Sequence, residues 1–130
     1  MGKIYGIGVD AVSVDRLTQK RMTSHIVRRM FHPEEVEQAG NLKDPRRAEF
    51  LASRFAAKEA FAKALGVGFT KVRPSDVCVR CDAAGKPMLY IFGNTAHDEV
   101  LEHLDIHLSL THEASMAIAF VVLEYKEGFC

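Results

Sequence analysis

The residues best suited to chemistry lie in the segment Phe50 to Gly66. Glu59 and Lys63 stand four positions apart, and Arg54 and Lys58 project from its apolar side. A carboxylate among three cations suits a phosphate group together with a divalent metal ion, because cations bind phosphate oxygens and hard metal ions take carboxylate oxygens. The alternative is an ordinary i,i+4 pair of Glu59 with Lys63, beside cations whose stems cover apolar surface. A metal site would need a second carboxylate.

A glycine-rich strand near the start of the chain offers that carboxylate. Lys3 to Val12 reads as a strand in which Gly6, Gly8 and Asp10 share one face. Glycine within a strand marks a place where a backbone or a ligand comes close, so we expect Asp10 to lie beside open space at the strand's end. Asp10 and Glu59 are the predicted metal ligands. The alternative for Asp10 is that it caps local amide groups.

The segment that positions Glu59 is the clearest helix in the sequence. Phe50 to Gly66 contains six alanines, no proline and a closing glycine, and Asp44-Pro45 precedes it as a start signal. Ala52 and Ala56 share the side that carries Glu59, and such small neighbours leave room for another group to approach. This helix is therefore expected to be buried and to carry the site.

Short helices and strands complete the predicted elements. We expect a short helix capped by Ser13, a second from His25 to Phe31, a third that starts at Pro33 and ends near Gly40, and a fourth from Asn94 or Thr95 through Leu101. The predicted strands are Val77 to Cys81 and Met88 to Ile91, which form a hairpin, then Ile106 to Thr111 and Ser115 to Tyr125. The alternation of Ile106, Leu108 and Leu110 with polar residues leaves His107, Ser109, Thr111 and His112 as a polar edge or an exposed sheet face. No Ser-His-Asp order accompanies them, so nucleophilic catalysis is not supported.

Composition favours one ordinary globular domain, residues 1–130. The chain has 48% hydrophobic residues, 26% charged residues and a formal net charge of zero, which gives it no overall attraction to nucleic acid. The apolar stretch Met116 to Leu123 is too short to span a membrane. Three cysteines do not resemble a secreted disulfide framework. Without a leader-like start, the expected location is the cytoplasm.

One basic run stands out against this neutral background. Between Arg16 and Pro33 the sequence has five cations and no acidic residue, namely Arg16, Lys20, Arg21, Arg28 and Arg29. Such a run is usually a solvated face, but it also suits the docking of an acidic partner. Few aromatic residues interleave with it, which disfavours single-stranded nucleic acid.

The motifs together resemble the holo-acyl-carrier-protein synthases, the short-chain group of 4′-phosphopantetheinyl transferases. Three motifs carry the resemblance: Gly6-Ile7-Gly8-Val9-Asp10, the run from Arg54 through Lys58-Glu59 and Lys63 to Ala64, and His107 to His112. Gly85-Lys86-Pro87 also fits. Their order and spacing extend over nearly the whole chain.

The resemblance implies transfer of phosphopantetheine from coenzyme A to a serine of apo acyl carrier protein, with release of 3′,5′-ADP. Magnesium would be required, and the reaction would serve fatty acid biosynthesis. It implies an α+β fold, with a small antiparallel sheet packed against a long central helix, assembled as a homotrimer. Longer relatives join two such halves in one polypeptide, so a chain of 130 residues is expected to share its sites between subunits.

The same resemblance assigns roles to particular residues. Asp10 and Glu59 would hold the metal, and Glu59, Lys63 and His107 would be catalytic. The groups expected to bind coenzyme A are Arg54, Lys58, Lys63, Gly85, Lys86, Pro87, Ser109, Thr111 and His112. A metal-bound water held by Glu59 is the first candidate for the general base, and neutral Lys63 is the second. The basic run would meet an acidic helix of the carrier protein.

Two other functions remain open from the residues alone. One is a non-catalytic binding module for a nucleotide or an acidic protein. The other is a magnesium-dependent phosphodiesterase or pyrophosphatase, which would hydrolyse its substrate instead of transferring a group.

Overall fold

A computed structural model describes residues 2–128. Its strands are β1 (Ile4–Ser13), β2 (Val77–Cys81), β3 (Pro87–Ile91), β4 (Leu104–Glu113) and β5 (Met116–Tyr125). Its α-helices are α1 (Ser24–Met30), α2 (Pro33–Gly40) and α3 (Arg46–Leu65). Short 3-10 segments lie at Val14–Leu17, Gly68–Thr70, Pro74–Asp76, Gly93–His97 and Glu99–His103.

The strands form two antiparallel groups. Three of them make a sheet in the order β1-β5-β4, and β2 pairs with β3 as the predicted hairpin. In the larger sheet Asp10 is opposite Ala119, which is opposite Leu110. Asp10 on β1 and Leu110 on β4 therefore point to the same face at the same level, about 10 Å apart across two strand spacings.

Helix α3 packs against this face of the sheet through its alanines. Ala56, Ala60 and Ala64 are buried, and a Cβ added to Gly8 would lie 1.9 Å from the Ala60 carbonyl oxygen. A Cβ on Gly6 would lie 2.0 Å from the Ala64 carbonyl oxygen. The close approach that the glycines indicated is thus made by the backbone of α3 and not by a ligand.

The helix ends follow local rules. Helix α3 begins at Arg46, directly after the predicted start signal Asp44-Pro45, and ends at Leu65, where Gly66 follows with a left-handed φ of 81°. Helix α2 begins at Pro33 as predicted, because His32 and Glu35 form a reciprocal cap. The Thr23 side chain caps α1 by accepting from the Ile26 N–H.

Two predicted short helices differ in the structure. The segment predicted as one helix from Asn94 or Thr95 to Leu101 is two 3-10 turns, because the Asp98 side chain accepts from the Val100 N–H and starts a new turn. Ser13 precedes a 3-10 turn but makes no side-chain cap bond there.

The other face of the larger sheet is apolar and uncovered within the chain. Ile7 is 62% exposed, Val9 55% and Phe120 40%. We call this surface the outer sheet face, and it includes the residues in register with them on β4, His107 and Ser109. None of the helices among residues 2–128 is long and apolar enough to cross a membrane.

Candidate active site

Asp10, Glu59 and Lys63 come together where β1 meets α3. The Lys63 ammonium nitrogen lies 3.0 Å from Asp10 Oδ1 and 3.2 Å from the Val9 carbonyl oxygen. The Glu59 carboxyl group lies near enough to Asp10 that Asp10 raises the pKa of Glu59. Lys63 therefore pairs with the carboxylate of the strand, although its i,i+4 spacing also allowed a pair with Glu59. The structure places the three residues together as predicted.

Asp10 makes the Glu59 carboxyl group harder to ionise. Burial raises the pKa of Glu59, the hydrogen bond and charge of Asp10 raise it further, and the charges of Lys63 and Arg16 act in the opposite direction. The hydrogen bond and charge of Asp10 raise the pKa of Lys63. The amine of Lys63 is therefore held in its charged form, which works against it as a neutral general base.

These residues fit a divalent metal ion. Asp10 Oδ2 is buried and has no hydrogen-bond partner among residues 2–128. A buried acceptor without a partner is costly, and an adjacent second carboxylate makes an oxygen-rich, negatively charged pair of the kind that Mg²⁺ prefers. Asp10 and Glu59 are the groups that would hold it.

A second group of metal-ligand types lies at the start of α2 and is occupied by other bonds. His32, Glu34 and Cys78 bring their ligand atoms within 4.8 Å of one another. Both Glu34 oxygens accept from Arg80, at 2.6 and 3.0 Å. Burial and nearby carboxylates raise the pKa of the Cys78 thiol to about 12. A metal ion there would compete with both a guanidinium and a firmly held proton.

Lys63 and Glu59 line one cleft, of about 230 Å³, together with Ala62, Gly68 and Phe69. Phe69 is 38% exposed and faces this cleft from the turn after α3. Phe69 was not predicted from the sequence to lie at the site. A large apolar residue directly after the glycine-rich end of a charged helix was the available signal.

Arg54 lines a second cleft, of about 220 Å³, between α3, the β2-β3 turn and the end of β4. Four other predicted binding residues line it, namely Gly85, Pro87, Thr111 and His112. The Arg54 guanidinium stacks on the Phe50 ring at 4.2 Å, and one nitrogen donates to Ser53 Oγ at 3.0 Å. Its Nε atom is buried and has no partner in the described part of the chain. This cleft contains Ser53 and Cys81 as well, which the sequence did not indicate.

His107 and Ser109 lie away from both clefts, on the outer sheet face. His107 Nε2 is 3.0 Å from Glu124 Oε1 on the neighbouring strand. His107 and Lys86 line a separate groove of about 340 Å³ beside β3. One chain therefore does not bring His107 or Ser109 to Asp10, Glu59 and Lys63.

Lys58 is a correction to the predicted set. Its side chain is fully buried, and its ammonium donates to Glu35 Oε1 at 2.5 Å, to the Pro74 carbonyl at 3.1 Å and to the Val77 carbonyl. Burial lowers the pKa of Lys58 despite the opposing charge of Glu35. Because all three donors are used inside the fold, Lys58 is not placed to bind a phosphate.

The five cations of the basic run are all exposed. Arg21 is 3.7 Å from Asp15, and both side chains are open to solvent, so this pair is weak. Arg16 lies near enough to the site that its charge lowers the pKa of Glu59. The run thus begins beside the site and continues onto α1.

Residues 6–121 match the 4′-phosphopantetheinyl transferase superfamily. The chain belongs to this superfamily. The resemblance predicted from the motifs is confirmed, and so is the α+β fold with an antiparallel sheet packed against a long helix.

Relatives of known structure and name support the same assignment. The holo-[acyl-carrier-protein] synthase of Treponema denticola is 43% identical over 123 residues, which cover 93% of this chain and 98% of the relative. The structure of a Bacillus anthracis holo-(acyl-carrier-protein) synthase in complex with CoA (3′,5′-ADP) is 38% identical, with a TM-score of 0.80 and coverage of 95% of this chain and 98% of that one. The Neisseria meningitidis synthase is 36% identical, with a TM-score of 0.81 and coverage of 94% and 99%.

The position of Lys58 predicts a stability effect. Lys58→Met leaves the Glu35 carboxylate buried without its counter-ion, so we expect the free energy of unfolding to fall by about 3–5 kcal/mol. The double variant Lys58→Met/Glu35→Gln should recover part of that loss, since it removes both charges and keeps an oxygen that can accept from a backbone N–H at this place. Chemical denaturation at one fixed protein concentration measures all three.

Lys43→Met is the matched control, because Lys43 is exposed and should change stability by less than about 0.5 kcal/mol. If Lys58→Met unfolded like the wild type and only weakened coenzyme A binding, Lys58 would belong to the phosphate site after all.

Proposed function

We propose that this protein transfers 4′-phosphopantetheine from coenzyme A to a serine of apo acyl carrier protein and releases 3′,5′-ADP. The observation that carries the proposal is the cluster of Asp10, Glu59 and Lys63 in a chain of this superfamily. Relatives named holo-[acyl-carrier-protein] synthase and a homologous structure in complex with CoA (3′,5′-ADP) support it. The reaction places the protein in fatty acid biosynthesis, and a cytoplasmic location stays a prediction.

The site's charges suit attack on a pyrophosphate. Displacement at phosphorus builds negative charge on phosphoryl oxygens, and fixed cations stabilise that charge. Mg²⁺ bound by Asp10 and Glu59 would supply Lewis-acid stabilisation at the pyrophosphate. Lys63, whose side chain is more than half exposed, can turn toward a phosphate in the adjoining cleft.

Arg54 is proposed to hold a second anionic group of the same coenzyme A. Its cleft and the Asp10 site lie at the same end of the sheet, on the side of α3. The unpartnered Nε of Arg54 is a donor that a phosphate oxygen would satisfy. Gly85, Pro87, Thr111 and His112 would form the walls.

A water held by Glu59 is the group proposed to take the proton of the attacking serine. The second candidate is neutral Lys63, and the hydrogen bond and charge of Asp10 work against it because they raise the pKa of the Lys63 ammonium.

We propose that the chain acts as a homotrimer with sites shared between copies. Ile7, Val9 and Phe120 leave an apolar surface on the outer sheet face that water covers poorly. His107 and Ser109 lie on the same surface. A second copy packed there would cover the apolar side chains and bring His107 and Ser109, with Lys86 in the adjoining groove, to a neighbour's site.

The basic run is proposed to receive the acidic carrier protein. Arg16, Lys20, Arg21, Arg28 and Arg29 are exposed along one stretch that begins beside Glu59. The overall charge is zero, so only a local patch can guide an acidic partner. Docking there would bring the carrier's serine toward the carboxylates.

The first prediction concerns the carboxylates. Asp10→Asn and Glu59→Gln should each lower kcat for transfer by more than the 10–100-fold typical of losing an outer-shell metal partner. Mass spectrometry of apo carrier protein, incubated with coenzyme A, magnesium and enzyme, measures the added phosphopantetheine group. Asp15→Asn removes an exposed carboxylate and is the control.

Near wild-type transfer by either carboxylate variant across a magnesium titration would contradict the two-carboxylate site. Hydrolysis of coenzyme A without modification of the carrier would instead favour a magnesium-dependent phosphodiesterase or pyrophosphatase. Binding without either reaction would favour a non-catalytic module.

The second prediction concerns assembly. Sedimentation of the wild type should show a trimer. Phe120→Glu should sediment as smaller species and lose transfer activity, because the new charge would be buried between copies. Ile26→Glu adds the same charge to an exposed apolar residue of α1 and should sediment as the wild type does. A fully active monomer at micromolar concentration would refute the shared site.

The third prediction concerns docking. Arg21→Glu and Arg28→Glu should each raise the KM for carrier protein roughly fivefold and weaken its salt dependence, since an exposed pair contributes about 1 kcal/mol. The KM for coenzyme A should not change. Lys126→Glu, an exposed cation after β5, is the control. Equal losses for both substrates would place these arginines in the coenzyme A site.

A further inference from the structure

Lys63 occupies one oxygen of the carboxylate pair that would hold the metal. Its ammonium donates to Asp10 Oδ1 at 3.0 Å, and Asp10 and Lys63 both lie near enough to Glu59 to affect its carboxyl group. The Val9 carbonyl accepts from the same nitrogen. A divalent ion at this place would therefore meet both a filled oxygen and a like charge.

The two partners in this ion pair differ in their freedom to move. The Asp10 side chain is only 10% exposed and is fixed by strand β1, whereas the Lys63 side chain is 55% exposed. Lys63 also lines the cleft that contains Gly68 and Phe69. A lysine ammonium on a flexible stem can change partners by rotation of its own torsions, with no change in the backbone.

We propose that Lys63 is an exchangeable counter-ion: it neutralises Asp10 in the free protein and moves to a phosphate of coenzyme A when that substrate binds, which frees Asp10 for Mg²⁺. The proposal rests on the proposed function, because it requires the Asp10–Glu59 metal site and a phosphate in the adjoining cleft. It adds that the Lys63 side chain couples the binding of coenzyme A to the binding of Mg²⁺.

Coupling of this kind has a definite thermodynamic form. If coenzyme A removes the ammonium from Asp10, it must strengthen magnesium binding, and magnesium must strengthen coenzyme A binding by the same factor. A fixed salt bridge behaves differently. If the salt bridge were fixed, removal of its positive charge would raise the affinity for magnesium by the same factor with and without coenzyme A.

Isothermal titration calorimetry of magnesium, with and without saturating coenzyme A, separates these cases. No carrier protein is added, so no transfer takes place, and the heat of magnesium with coenzyme A alone is subtracted. The wild type should bind magnesium weakly without coenzyme A and more tightly with it. Lys63→Met, which keeps most of the stem and removes the charge, should bind magnesium more tightly than the wild type without coenzyme A. The factor by which coenzyme A strengthens magnesium binding should be about tenfold smaller in Lys63→Met than in the wild type, which is within the usual range of coupling between sites.

Lys126→Met, a loss of an exposed charge after β5, should match the wild type in both titrations. If Lys63→Met raises the affinity for magnesium by the same factor with and without coenzyme A, Lys63 does not exchange partners, although the metal site is supported. If the wild type binds no magnesium in either titration, the metal site itself is overturned, and the exchange with it.

Discussion

The contact between the backbones of β1 and α3 is the constraint on which the site depends. The Ala60 carbonyl lies so near Gly8 that a single added methyl group would be 1.9 Å from it. Any residue larger than glycine would push the helix away from the sheet. The resulting approach lets Asp10 on the strand meet Glu59 and Lys63 on the helix, so the glycines act on the chemistry only through packing.

The neighbouring residues Lys58 and Glu59 show how one helix can serve both stability and function. Successive residues on a helix point about 100° apart, so Lys58 enters the core and Glu59 faces the cleft. Glu35 accepts from Lys58, from the His32 N–H and from the Val79 N–H. This buried network ties α2, α3 and the start of the hairpin together, and the hairpin turn in turn forms a wall of the Arg54 cleft.

The sequence predicted the positions of the helices and strands better than the burial and contacts of their side chains. Alternation and capping signals located the hairpin, the long strands and α1 to α3. The need for a second carboxylate beside Glu59, together with the glycine face of β1, correctly joined Asp10 to Lys63. The burial of Lys58 was missed because a helical wheel shows which residues share a face, but not how many faces are covered. The glycine pattern was ambiguous for a related reason, since close approach by a backbone and by a ligand require the same absent side chain.

The two faces of the larger sheet explain why a contiguous motif does not make a contiguous site. Residues of a strand alternate between faces, so Leu108, Leu110 and His112 point toward α3 while His107 and Ser109 point outward with Phe120. One chain can present only half of the motif to a phosphate bound beside α3. The proposed packing against a second copy would let both halves act, because it would join the outer face of one chain to the clefts of another. The apolar residues that surround His107 and Ser109 are the surface that such packing would cover.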